Sequence, residues 1–354
     1  MSPNTQNLSA NYDYLNARIR SKASSLLKRA DYVQLVNGTI RDLEIFLLQH
    51  GSFSGAFQKK LVVSQDSSLK RIEAVVAETE TERLSLLRSL AEGEAARLIS
   101  VYLLRADLLN GRLVLRSINA GKNGMPEPYW HAYGAVSSSF FSNLWKTCSD
   151  ISDCIEYCRS NTSMMSPILV SAFSELARTN DLMRAERLFL RGFIGSAMNE
   201  LKGAKTENVR LITELYGRFV DVWNIAIWLR RNVMGTRLTT PYLETTGAGI
   251  EVHRLEKAVS LRHLLAGTPW RASIAGDAAS PEVVQRSMNT LLLEWQMSLY
   301  RLDLLGIHVA LGYAARVFVE WQNLNIIAIG VAFGMKSAEI YERLIIRDEQ
   351  EKTA

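Results

Sequence analysis

Apolar residues recur at helical spacing along almost the whole of this chain. Between residues 11 and 50, Tyr14, Leu15, Ile19, Leu26, Leu27, Tyr32 and Leu35 fall near a 3.6-residue period, and Arg18, Arg20, Lys22, Lys28 and Arg29 lie between them. A second, short helix carries Ile40, Leu43, Leu47 and Leu48 and stops at Gly51, just after His50. Residues 64–118 contain no Pro, and they hold one stripe at Leu69, Ile72, Val75 and Val76 and another at Leu84, Leu87, Leu90 and Leu98. The Gly-, Asn- and Pro-rich stretch 119–128 reads as a loop. Helical pattern resumes from about Val136, passes through Ile151, Cys154, Ile155 and Cys158, restarts at Pro167 and runs again from Leu182 to Gly203. After a second boundary at 235–249, a short helix holds Leu255, Val259 and Leu264. A turn-rich stretch at 267–281 precedes a long helical tract from Glu282 to Gly334 and a final helix from Ser337 to Arg347. Period-two alternation of β-branched residues is nearly absent. The predicted fold is all-α.

Within this pattern one polar signature interrupts the most apolar helices. Asp221 is followed by Asn224 at three residues, Arg230 at nine and Gly235 at fourteen, and Asp107, Asn110, Arg116 and Gly121 repeat the spacing upstream. Glu320, Asn323 and Gly334 repeat it downstream, with Ile329 in place of the Arg. Composition alone predicts about 0.1 occurrences of acid-x2-Asn-x10-Gly in a chain of this length. The copies are 114 and 99 residues apart. Tyr102 and Tyr216 precede the first two acids by five residues, and Glu82-Arg83-Leu84 is echoed by Glu186-Arg187-Leu188. These echoes describe a triplicated unit, with helical repeat domains expected at 11–121, 129–235 and 250–349.

On a helix the acid and the Asn lie about 60° apart on one face, and the Arg lies about 180° away facing another neighbour. The Gly supplies the left-handed residue that ends the helix. An acid–Asn pair between Leu113, Val114 and Leu115, or between Trp223, Ile225, Ile227 and Trp228, is costly unless it is hydrogen-bonded. The expected role is therefore structural: a pair that bonds a neighbouring helix and fixes its register.

Composition bounds the function. An apolar fraction of 47% and a charged fraction of 22% over 354 residues describe an ordered chain with a sizeable core. The net charge of +5 favours acidic partners or an anionic membrane surface, and it lacks the dense clustering of a nucleic-acid binder. The polar stretch from Met1 to Ala10 has no basic start and apolar core, so no signal peptide is expected. Cys148, Cys154 and Cys158 form no CxxC pair and read as free thiols of a reducing compartment. Arg316 and Glu320 break the most apolar tract into pieces too short to span a bilayer.

Signatures of catalysis are missing. The chain has no GxxxxGK[ST], HExxH or GxSxG, and Gly247-Ala-Gly249 follows no strand. His50, His131, His253, His263 and His308 are scattered, and Asp150-Ile-Ser-Asp153 reads as a helix start. No catalytic residue, cofactor, metal, nucleic acid or small-molecule substrate is expected. An all-α interaction scaffold fits this much, though tandem solenoids repeat at 34–47 residues rather than about 100.

The opening Tyr14-Leu15-Asn16-Ala17-Arg18-Ile19-Arg20 with Leu26-Leu27 resembles the start of the C subunit of archaeal and bacterial V-/A-type ATPases and ATP synthases, counterpart of the d subunit in eukaryotic V-ATPases. The blocks Tyr102–Gly121 and Tyr216–Gly235 resemble that family's first two repeat signatures. Gly312-Tyr313 through Glu320, Asn323, Gly334 and Glu339-Ile340 resembles the third. Gly111-Arg112, the missing third Arg and the Ser- and Cys-rich segment 137–165 depart from the pattern. The resemblance implies three similar helical domains around a pseudo-threefold axis in a funnel-shaped body. It implies a peripheral protein on the cytoplasmic face of the membrane rotor ring, touching the membrane only indirectly and receiving the D- and F-type subunits of the central shaft. Its implied role is to transmit torque for proton or sodium transport without contributing catalysis.

Overall fold

A computed structural model describes residues 12–63, 67–122, 127–232, 241–244, 249–273 and 280–346, and among them no strand occurs. The helices run α1 Tyr12–Ala23, α2 Arg29–Val36, α3 Ile40–Gln49, α4 Ser54–Val63, α5 Ser68–Leu90, α6 Gly93–Leu103 and α7 Arg105–Asn119. They continue as α8 Ser138–Thr147, α9 Ile151–Ser160, α10 Ser166–Thr179, α11 Leu182–Glu200 and α12 Glu207–Asn232. The last are α13 Val252–Lys257, α14 Leu261–Leu265, α15 Pro281–Ser298, α16 His308–Ala332 and α17 Ser337–Tyr341. The chain divides into two compact units, residues 1–99 with 293–354 and residues 100–292.

Local chemistry sets many of the helix ends. Thr39 and Asp42 exchange side-chain and main-chain hydrogen bonds at the start of α3. Asp150 caps α9 through the Asp153 N–H at 2.9 Å, and Asp181 caps α11. Pro167 sits in the first turn of α10, which closes on left-handed Asn180. The Pro-free stretch 64–118 contains α5, α6 and α7, with Gly93 at φ +56 where α6 starts. The tract expected from Glu282 is two helices, α15 and α16, separated by a 3-10 turn at Leu299–Arg301 and the loop 302–307.

The first unit is built around α16. Its 25 residues carry only Arg316 and Glu320 as formal charges, and side chains on nearly all sides of it are buried. It packs against α5, α1, α2, α3 and α17. Leu324, Ile327 and Ala328 join Leu43, Leu47, Phe53, Ile72 and Val75 in one core. Gly312 lets the backbones meet closely, since a Cβ there would overlap the main chain of Tyr300.

In the second unit α7 packs against α8, α10 and α11, and α9, α10 and α11 stack in sequence. The stretch from Val220 to Leu229 in α12 is buried residue after residue, Asp221 and Asn224 included. Truncating an aromatic such as Phe189 or Phe193 in this interior would cost about 3–5 kcal/mol.

Candidate functional site

The acids and Asn residues of the signature are buried, whereas Arg116, Gly121 and Gly334 are exposed. Asp107, Asn110, Asn224 and Asn323 have no exposed surface, and Asp221 and Glu320 are all but buried. Each acid–Asn pair projects from a single helix: α7, α12 or α16. The three Asn side chains do the same work. Asn110 Nδ2 donates to His131 O at 2.8 Å while its Oδ1 accepts from His131 N at 3.0 Å. Asn224 grips Leu243 in the same two-way manner at 3.0 and 2.7 Å, and Asn323 grips Ile345 at 2.9 and 2.9 Å. The amide matches both the donor and the acceptor of one extended residue, so it substitutes for a strand partner.

The acids hold main-chain donors a few residues further on. Asp107 accepts from Ala135 N at 2.8 Å and Val136 N at 3.1 Å, just before α8. Asp221 accepts from Ile250 N at 2.9 Å, just before α13, and from Trp270 Nε1 at 3.0 Å. Glu320 accepts from Leu27 N at 2.6 Å, just before α2, and from the Arg83 guanidinium. Helix α7 thus clamps the segment before α8, α12 the segment before α13, and α16 the segment before α2. The expectation of a helical partner is corrected in one respect: most of the gripped groups are main-chain atoms of connecting segments. Those segments have no helical or sheet ladder of their own to satisfy their N–H and C=O groups.

Electrostatics explains why the acids need so many donors. Burial pushes the Asp221 carboxyl above its usual range, and hydrogen bonds from Trp270, Ile250 and Gly249 pull it part of the way back. Burial likewise raises Glu320, against the charge of Arg83 and the Leu27 N–H. Glycines make the approach possible. A Cβ at Gly134 would overlap the Asp107 carboxylate, and one at Gly249 would stand 2.8 Å from Asp221 Oδ2.

The Arg positions face elsewhere, as the helical angle requires. Arg116 pairs with buried Glu186, and Arg230 lies 3.8 Å from Met183 Sδ, both partners on α11. Arg112, beside Arg116, also reaches Glu186 at 3.5 Å and lies over the Trp223 ring. Its neighbour Gly111 leaves room for the Phe189 ring, so the unusual Gly111-Arg112 pair is accommodated by α11 and α12. In the third copy Ile329, which stands in place of the Arg, is exposed. Gly121 and Gly334 adopt φ +71 and +68 and end their helices, whereas Gly235 lies outside the described residues.

Sequence reasoning missed Arg83, Glu186, Trp270, Gly134 and Gly249 as members of these clusters. Two signals pointed to them: the echoed Glu-Arg-Leu triplets contain Arg83 and Glu186, and Gly134 and Gly249 follow their acids by nearly equal intervals. The final helix is shorter than expected because Asn323 holds Ile345 in extended form, so α17 gives way to turns after Tyr341.

The thiols of Cys148, Cys154 and Cys158 are buried, and burial raises Cys158 to about 12. No cluster among the described residues could hold a metal ion. No described helix is long and apolar enough to cross a membrane.

The family model for the ATP synthase (C/AC39) subunit matches residues 15–343, a span that contains all three buried acid–Asn pairs. The chain belongs to this family. Similar proteins include the C subunits of the V-type ATP synthases from two strains of Thermus thermophilus, each 22% identical over 338 residues. The match covers 94% of this chain and 98% of each relative.

Proposed function

We propose that this C/AC39 chain is the non-catalytic central-stalk subunit of a rotary V-/A-type ATPase or ATP synthase. In this reading it sits on the cytoplasmic face of the membrane, with the shaft on one side and the rotor ring on the other. Torque passes through it as ATP turnover and proton or sodium movement are coupled. The observation that carries the reading is the thrice-used clamp in a chain matched to the family from residue 15 to 343. A torque transmitter needs a body whose parts do not slide, and each clamp fixes a connecting segment to a buried helix. We extend the reading to three similar domains bounded by the signature copies, with the eleven signature residues acting as architecture.

The test is recovery of partners. A tagged chain isolated from native membranes is expected to bring down shaft and ring subunits together. Loss of the chain is expected to abolish ATP-driven ion uptake into membrane vesicles while the detached head still hydrolyses ATP. Recovery with neither shaft nor ring, or a hydrolase activity of the isolated chain, would overturn the reading in favour of a helical scaffold or an enzyme.

A further inference from the structure

Two features of the first unit adjoin each other along the chain, and the first of them borders the third clamp at Leu27, Glu320 and Ile345. One is a cavity of about 200 Å³ whose lining includes Lys28, Arg29, Arg301, Arg316 and Glu320. The single acid among these five is already engaged by Arg83 and the Leu27 N–H, and Asp31, next to the rim, is engaged by the Lys28 N–H. Arg316 lies against the Tyr300 ring at 4.2 Å, which sets the direction of its guanidinium. Basic side chains thus outnumber the acid in the lining of a cavity whose size admits a phosphate group.

The other feature is the loop that follows Arg301. Leu302, Leu304 and Leu305 are 67%, 51% and 70% exposed. The loop is nonetheless held firmly: buried Asn16 donates to Leu304 O at 2.8 Å and Gly306 O at 3.0 Å, and Leu305 N donates to Asp303 Oδ1 at 2.9 Å. The corresponding positions before the acid in the other two copies are Ser89, Ala91 and Glu92, and Gly203, Lys205 and Thr206. Only the third copy fixes three leucines in water, against the hydrophobic effect.

We propose that the cavity and the leucine loop together form a docking site for an anionic phospholipid, with the phosphate headgroup in the basic cavity and the leucines at the acyl boundary. A soluble phosphate would use the cavity and leave the leucines unexplained, whereas a bilayer interface uses both. The site does not rest on the rotor reading, and it adds a direct membrane contact where that reading has an indirect one.

The test uses the purified full-length chain in flotation with vesicles of phosphatidylcholine alone or mixed with phosphatidylglycerol. Binding is expected to favour the anionic vesicles and to weaken with salt. Lys28→Glu with Arg301→Glu is expected to lower that binding by about tenfold or more. Leu304→Ser with Leu305→Ser is expected to lower it at an unchanged thermal midpoint. Lys202→Glu with Lys205→Glu, which reverses charge in the corresponding turn of the second copy, is expected to leave it unchanged. Equal binding to both vesicle types, no binding, or equal loss in the Lys202/Lys205 variant would overturn the proposal. Inorganic phosphate provides the separate arm. Thermal stabilisation by phosphate that Lys28→Glu/Arg301→Glu abolishes, without vesicle binding, would reassign the cavity to a soluble anion.

Discussion

Asn224 shows at the residue scale why an amide was needed. Leu243 presents one N–H and one C=O to a buried helix, and only an Asn or Gln side chain can answer both at once. Asn224→Leu fills similar space but leaves two buried main-chain groups unsatisfied. Urea unfolding is expected to show a loss of about 2–4 kcal/mol. Asp221 is an acceptor facing donors, so Asp221→Asn turns an NH2 toward Trp270, Ile250 or Gly249 and also destabilises. The pH dependence separates the two effects. Burial lifts the folded-state Asp221 pKa above 3.8, so the folded protein holds this proton more tightly than the unfolded chain does. That contribution is fully present below the unfolded value and is lost as pH rises through the folded one. The stability of wild type relative to Asp221→Asn is therefore expected to fall with rising pH above about 4, followed by urea midpoints at stepped pH. A flat difference would mean that the hydrogen bonds fully offset burial.

At the scale of elements, α16 carries the same pair as α7 and α12 but with a longer acid. Glu320 spans the distance to both Leu27 and Arg83, and the Arg83–Glu320 ion pair is nearly inaccessible to solvent. Arg83→Met alone strands a buried carboxylate and is expected to cost about 3–5 kcal/mol, while Arg83→Met with Glu320→Leu is expected to recover part of the loss. Denaturation of the two single variants and the double variant gives the coupling, and strict additivity would count against the pair. This pair also shows what the chain reveals before folding. The helices and the buried acid–Asn pairs were legible because side chains at 3.6-residue spacing, and a signature that recurs at about 100 residues, leave a pattern. The gripped partners His131, Leu243 and Ile345 were not legible, since they contribute main-chain atoms that every residue type possesses. The break at 302–307 was hidden for a related reason: Asn16, nearly 290 residues away, holds a loop whose own sequence is apolar.

At the scale of the molecule, the third clamp changes what a repeat means. The third signature copy lies on α16, yet this helix packs into a core built from α2 to α5 near the other end of the chain. The first unit is accordingly discontinuous, combining residues 1–99 with 293–354. A contiguous fragment 1–122 keeps α2 to α5 but lacks Leu324, Ile327 and Ala328 from their core, and it leaves the Leu27 N–H without Glu320. Losing buried Leu and Ile side chains at about 2–5 kcal/mol each is comparable to the whole stability of an ordinary domain. The fragment is expected to unfold without a cooperative transition. A permuted chain that joins residues 293–346 through a flexible linker to residues 12–99 restores both the core and the clamp, and it is expected to show one sharp urea transition. Circular dichroism against urea on the two chains decides the matter. A cooperative 1–122 fragment would mean that each repeat stands alone and that the clamp from α16 is dispensable.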